Sequence, residues 1–377
     1  MTTPTELRVL QFCHGYDGPF LDCARQYASL FVGTPYKVTT VYLTGAPSVE
    51  VERGSASDEV VFLDYRSRDV RGLKLKAIRD IKRLVAGRNF QLCIAHRFKP
   101  IYVALLGTDL PVIGVHHGFG DYQRLSRKLF ANCFRKRLAL LGVSNAVRNE
   151  IRACLPSWPA ERIETLYNRI DIAAVQAEQV CRDDARAHLG LPLDAWVVGN
   201  VGRLHPDKDQ ATLIRGFAQA LPQLPEGSLL AIMGSGRLES SLKALATELG
   251  VSASVRFLGQ VAQGRRYFKA FDVFALTSDH EPFGMVLLEA MAAGVPVICS
   301  DCGGGREVVG GVGGLFPLGD VESLCVLLQQ SAVCTQEQLQ GTEQRMLTCL
   351  AERFSDRAVA AAFWRLPVMP IVNGRSA

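Results

Sequence analysis

The residues best equipped for chemistry lie in the second half of the chain. The stretch GRLHPDK at 202–208 follows an apolar run and precedes a helical pattern carrying Leu213, Ile214 and Phe217. A strand that ends where a helix begins offers backbone N–H groups and a positive dipole to an anion. Arg203 adds a planar fork and Lys208 a flexible ammonium, a set suited to a diphosphate rather than to two solvated surface cations. Further on, EPFGMVLLE places Glu281 just before a helix and Glu289 two turns into it. Two acids that far apart cannot act as one close pair, but they can grip different parts of an extended ligand. Glu289 sits among Met285, Leu288 and Ala292. A carboxylate there is costly without a partner, which points to a hydroxyl-bearing ligand, with a structural salt bridge as the alternative.

In the first half, PVIGV at 111–115 reads as a strand ending in His116 and His117 at a glycine turn, where ligand groups gather in α/β sheets. Either histidine could instead be a satisfied strand-end residue. The run LRVLQFC at 7–13 leads into a loop with Gly15 and Gly18, then a helical pattern. Positive charge is concentrated here: residues 1–172 carry 25 Lys and Arg against 16 Asp and Glu, so a net +9 hides behind the overall +5. Six cations and no acid lie between Arg124 and Arg137, on a pattern that reads as a basic amphipathic helix. Such a face fits an anionic membrane, a phosphorylated acceptor or plain solvent. Nucleic acid is disfavoured, because the cations lack interleaved exposed aromatics.

The elements that position these residues alternate strand and helix. With 377 residues, roughly 100–200 per domain predicts two domains. Strands are expected near 7–13, 37–43, 60–64, 91–95, 111–115, 138–143 and 162–167. After a polar, alanine-rich stretch the pattern restarts, with strands near 196–201, 229–233, 255–258, 273–276 and 296–300. The fold class is α/β, with two doubly wound units; the expected division is 1–175 and 176–354, with a helix at about 355–377 returning to the first. The start of the chain shows no apolar leader, and no stretch approaches 18 uncharged apolar residues, so a cytoplasmic protein is expected. Eleven scattered cysteines fit reduced thiols, and Cys299 and Cys302 lack the second ligand pair a zinc site needs.

Taken together, the motifs resemble glycosyltransferase family 4, retaining enzymes of the GT-B fold, and within it bacterial lipopolysaccharide core enzymes. The matching pieces are Gly202-Arg203 with Lys208, the MGSG at 233–236, VRFLG at 255–259, the Glu281–Glu289 block, GVPVI at 294–298 and GGGRE at 303–307. In the first half GVSN at 142–145 and LYNRID at 166–171 also match. The resemblance implies two facing Rossmann-like domains, the first binding acceptor and the second a nucleotide diphosphate sugar. It gives Arg203 and Lys208 the leaving diphosphate, Glu289 the ribose, and Glu281 with the amides of Phe283, Gly284 and Met285 the sugar and distal phosphate. The Phe257 and Leu258 backbone would meet the base, and Gly202 and Gly234 would line the donor loops. Counted from the strand, His117 fits the family's sugar-contacting histidine better than His116. Gly15 resembles the family's first glycine loop, which here lacks the usual adjacent glycine pair. No metal or other cofactor is expected.

The reading is therefore a hexosyltransferase moving a hexose or N-acetylhexosamine, UDP-linked, to a glycan or glycolipid acceptor, phosphorylated or not, at the inner face of the cytoplasmic membrane by peripheral contact. A nucleotide-sugar epimerase and a non-catalytic nucleotide-sugar binder are the alternatives. A dehydrogenase is weaker, since the third glycine and the ribose acid of a dinucleotide site are missing.

Overall fold

The computed structural model describes residues 6–368. The chain divides into two compact units: one holds residues up to Arg169 and those from Asp356 on, the other Ile170–Ser355. In the first, β1 (Leu7–Cys13), β2 (Tyr36–Thr44), β3 (Glu59–Tyr65), β4 (Phe90–His96), β5 (Val112–His116), β6 (Leu138–Gly142) and β7 (Ile163–Thr165) form one parallel sheet. Its order is β3-β2-β1-β4-β5-β6-β7. The second unit has β8 (Val197–Val201), β9 (Leu229–Met233), β10 (Val255–Gly259), β11 (Val273–Leu276), β12 (Val297–Ser300) and β13 (Gly314–Phe316), in the order β10-β9-β8-β11-β12-β13. Both are Rossmann-like, as the alternating pattern implied.

The strands are near-continuous apolar runs because helices cover both sheet faces. Val9, Leu10 and Phe12 in β1, and Leu138, Leu140 and Leu141 in β6, are fully buried. In the second unit Phe217 and Phe274 are also fully buried, each worth about 1.5–3 kcal/mol over an exposed ring. Gly199 in β8 is fixed by this packing, since a Cβ there would stand 2.2 Å from the Phe271 ring.

Each sheet has one point where the winding reverses, and ligands collect outside the strand carboxyl ends at such points. In the first sheet it lies between β1 and β4, in the second between β8 and β11. The expected C-terminal helix is Asp356–Trp364, and residues 369–377 of that expectation lie outside the described residues. Phe363 packs its ring 5.7 Å from Phe31, and Trp364 Nε1 donates to the Leu30 carbonyl at 3.1 Å. Arg169, itself 2% exposed, pairs with Asp356 at 3.2 Å.

The expected basic helix is shorter than 124–137. It spans Leu125–Cys133, and its apolar stripe splits: Leu125 and Leu129 are 69% and 57% exposed, while the Phe130 ring packs 4.8 Å from Tyr102. Arg137 belongs to the scaffold instead. It donates to the carbonyls of Leu105 and Thr108, both at 2.8 Å, tying off the helix Phe98–Gly107.

Candidate active site

In the second unit the loops leaving β8, β9 and β10 are stitched backbone to backbone. Gly202 N–H donates to the Met233 carbonyl at 3.0 Å, Leu204 N–H to Ser235 at 3.0 Å, and Gly234 N–H to Gly259 at 2.7 Å. Gly234 has φ +144°, and a Cβ on it would stand 1.9 Å from the Gly202 carbonyl oxygen. Backbone contact between loops thus already requires this glycine. β10 is an edge strand whose register slips between Phe257 and Gly259, leaving Leu258 out of the ladder. Lys243 Nζ covers the Phe257 ring at 5.6 Å.

The chain then turns through Pro206–Lys208 into the helix Gln210–Ala220. At the start of that helix Asp209, at φ +42°, is the cap, accepting from the Thr212 amide at 3.3 Å and hydroxyl at 2.6 Å. Arg203 and Lys208 lie ahead of that helix, Lys208 in the turn itself. Lys208 is anchored where Thr277 Oγ1 donates to its carbonyl at 3.0 Å, and its ammonium meets Glu281 Oε2 at 2.8 Å. Ser278 donates to the same carboxylate oxygen at 3.3 Å, and Asp279 N–H donates to the Asp207 carbonyl at 3.1 Å. Residues 73 positions apart thus meet across the β8/β11 reversal. Arg203 is held more loosely, with 71% of its side chain exposed and Asp207 at 3.4 Å. An exposed pair of this kind contributes little, so the guanidinium is free to be recruited.

Glu281 is 7% exposed and framed by a triple glycine. Gly304 N–H donates to the Glu281 carbonyl at 2.7 Å, while a Cβ on Gly303 would stand 2.2 Å from that oxygen. Phe283 is buried with its ring 5.8 Å from Phe354, so its side chain serves packing. Gly284, at φ +96°, starts the helix Met285–Ala292, which no side chain caps among the described residues. About one turn into that helix, rather than two, half-buried Glu289 lines a cavity of about 680 Å³ with Gln179, Gln263, Gly264 and Arg266. Glu178 and Arg265 form a forked pair at its wall, with contacts of 2.7 to 2.9 Å. The buried Gln179 Oε1 has no partner among the described residues.

The first unit holds a histidine cluster at its strand ends. His116 is fully buried and satisfied, its Nδ1 at 2.8 Å from Asp121 and its Nε2 at 3.3 Å from the Tyr122 hydroxyl. His117 is engaged differently, with Nε2 at 3.0 Å from His96 Nδ1 and Nδ1 at 4.0 Å from Cys23 Sγ. Burial, then the nearby His116 and Arg97 charges, push His117 down to about 3. Burial and the charges of Lys99 and Arg97 bring His14 down to about 4, and burial holds His96 well below the ordinary histidine range. All three rings are neutral near pH 7. Gly15 follows His14, and a Cβ there would stand 2.8 Å from Thr44 Oγ1.

One consequence is measurable. The unfolded chain protonates these rings near 6.5 while the folded chain resists until far lower pH. Their contribution to stability is therefore complete above 6.5 and is lost as the pH falls toward about 3. His117→Phe should flatten the decline of Tm between neutral pH and about pH 4, read by calorimetry. An unchanged slope would mean that His117 is not held neutral.

Two family models match this chain: "Glycosyltransferase Family 4" over residues 24–174 and "Glycosyl transferases group 1" over 182–324. Together they cover more than half of it, one in each unit. The chain belongs to the glycosyltransferases. The lipopolysaccharide core biosynthesis glycosyltransferase LpsE of Rhizobium meliloti is 36% identical over 183 residues, 48% of this glycosyltransferase and 52% of that protein. The chain spans about half the length of the curated relatives it matches. A glycosyltransferase structure from Rickettsia africae shares the fold at TM-score 0.83 and 13% identity, covering 98% of this chain and 100% of that one. The Anabaena protein HepE, in complex with UDP and glucose, does so at TM-score 0.74 and 22% identity, covering 95% and 98%.

Of the expected site residues, this glycosyltransferase brings Lys208 and Glu281 into contact and sets Gly202 beside Gly234. Gly15 and His117 lie in the other unit. Sequence reasoning missed Gln179, Glu178 and Arg265 of the cavity, and His14, His96 and Arg97. The last three had a signal: each ends or directly follows a strand, the same position that singled out His117. No described helix is long and apolar enough to cross a membrane.

Proposed function

We propose that this glycosyltransferase moves a hexose or N-acetylhexosamine from a UDP-sugar to a membrane-associated glycan acceptor of the lipopolysaccharide core type, with retention of anomeric configuration and without a metal. The observation that carries the reading is the Lys208–Glu281 pair across the β8/β11 reversal, with Arg203 exposed on the same loop. Negative charge grows on the diphosphate as the sugar departs, and preorganised cations stabilise that charge most. Lys208 and Arg203 supply them. Glu281 orients Lys208 and accepts sugar hydroxyls, the uncapped start of Met285–Ala292 takes the distal phosphate, and Glu289 binds the ribose from its cavity. Retention follows from substitution on one face, in which the departing phosphate helps deprotonate the acceptor hydroxyl. A covalent sugar adduct trapped on Glu281 would contradict that route.

UDP is favoured by the Anabaena neighbour's complex, and the acceptor class by the Rhizobium relative. Peripheral membrane contact is supported by the exposed leucines of Leu125–Cys133 and their cations, and by Leu73 and Leu75, 67% and 69% exposed, on either side of Lys74. Thermal-shift screening against UDP-, GDP- and ADP-sugars with EDTA present tests the donor, because a ligand of the native state raises Tm. A UDP-sugar should give the largest rise, and no rise with any nucleotide sugar would sink the proposal. For the membrane, at about 1 kcal/mol per cation, replacing Arg124 and Lys128 by Gln should weaken binding to anionic vesicles about 30-fold at low salt. Equal binding would return these cations to solvent. Arg137 is unsuitable for this test, because its loss would disturb the fold.

A further inference from the structure

The first unit has its own winding reversal, between β1 and β4, where ligands collect in such sheets, and cations dominate the strand ends beside it. The helix Phe98–Gly107 starts one residue after β4. Arg97 makes that turn at φ +72°, a left-handed geometry that costs a non-glycine residue roughly 1–3 kcal/mol. No side chain caps this helix among the described residues. Its first amides, at Phe98 and Lys99, have no acceptor inside the helix, and Pro100 removes the next donor. The chain thus spends strain to bring two N–H groups and two cationic side chains to one place.

Further cations converge there from remote parts of the sequence. The Arg127 guanidinium lies 4.5 Å over the Phe98 ring, and Lys74 Nζ lies 4.7 Å over Tyr102, one turn along the same helix. Arg97 lies 4.7 Å over Phe20. Lys99 makes no hydrogen bond or ion pair among the described residues. Partial burial, then Arg97, Arg71 and Arg127, lower it below the usual lysine range. The acid beside this group, Asp121, is already occupied by His116 and Arg127. Asp17 lies near His14, at the end of β1, whose buried Nδ1 has no partner among the described residues. Uncompensated cations held together, uncapped amides and an unsatisfied ring nitrogen all call for one kind of ligand.

We infer that the β1/β4 reversal binds a phosphate ester, with Lys99 and Arg97 as its principal cations and the Phe98 and Lys99 amides as neutral donors. This deepens the acceptor reading above and rests on it only for the identity of the molecule carrying the phosphate: the acceptor is phosphorylated. A compact, doubly charged phosphomonoester matches the set better than a carboxylate, because it has enough oxygens to accept from both amides and both side chains.

The test uses the full chain with UDP saturating, so that the second unit's cations are occupied. Glucose 6-phosphate and glucose are titrated calorimetrically, and vesicles of phosphatidylcholine with and without phosphatidic acid are sedimented with the protein. Glucose 6-phosphate should bind where glucose does not, and Lys99→Gln should weaken it about tenfold, with recovery in Lys99→Arg. Should phosphatidic acid vesicles alone respond to Lys99→Gln, the phosphate belongs to a lipid headgroup; should the sugar phosphate alone respond, it belongs to a glycan. If neither phosphate probe binds, or Lys99→Gln leaves both unchanged in a protein of normal Tm, the inference is overturned. UDP binding is measured in parallel. Its failure with phosphate binding intact would remove the donor reading and leave this site standing.

Discussion

Lys208→Met is expected to slow sugar transfer about 100- to 1,000-fold, the usual cost of removing one preorganised group that stabilises charge developing in the transition state. Its ammonium does two jobs in the folded chain. It would meet the departing diphosphate, and it neutralises Glu281, which is 7% exposed. Removing one partner of a buried pair strands the other, so a fall in Tm should accompany the loss of rate. A cycle with Glu281→Gln separates the effects. In the Lys208→Met background the second change should restore part of the stability, since no lone carboxylate remains, while the rate stays low. Additive effects on Tm would show that the pair seen at 2.8 Å carries no coupling.

Glu289→Ala should act on binding instead. A carboxylate accepting from two ribose hydroxyls makes two charge-assisted hydrogen bonds, so its loss should raise the Kd for UDP about 100-fold. Tm in the absence of ligand is read alongside, which separates loss of a contact within the fold from loss of the ribose contact. Calorimetric titration with UDP is the measurement. A wild-type affinity in the variant would move the nucleotide out of this cavity.

The sequence carried the architecture because two-sided burial writes strands as apolar runs. All twelve expected strands are present. β13 escaped notice because Gly314–Phe316 is only three residues long and follows another glycine. The local motifs also announced their places in the fold: Gly202–Lys208 links a strand to a helix, and Glu281 stands just ahead of a helix start. Three things were not legible. The contact between Lys208 and Glu281 depends on β8 and β11 being neighbours, which no local pattern states. Asp209 lies just past the Gly202–Lys208 motif, and nothing local marks its φ of +42° or its cap on the Thr212 amide. The cavity wall from Glu178 and Arg265 joins segments 87 positions apart, and an isolated acid and base announce nothing in sequence.

The path of the chain has a consequence for how such proteins are put together. Ile170 and Ser355 are bridged, and the Ile170 amide donates to the Phe354 carbonyl at 2.9 Å, so the second unit leaves and rejoins the first at adjacent points. Arg169 and Asp356, the residues on either side of this junction, pair with each other. The second unit is therefore an uninterrupted cassette, while the first is assembled from two pieces. Cut out at its two neighbouring ends, the cassette keeps every strand of its own sheet. A fragment ending at Arg169 would instead leave Phe31 and Leu30 without the Phe363 and Trp364 that cover them.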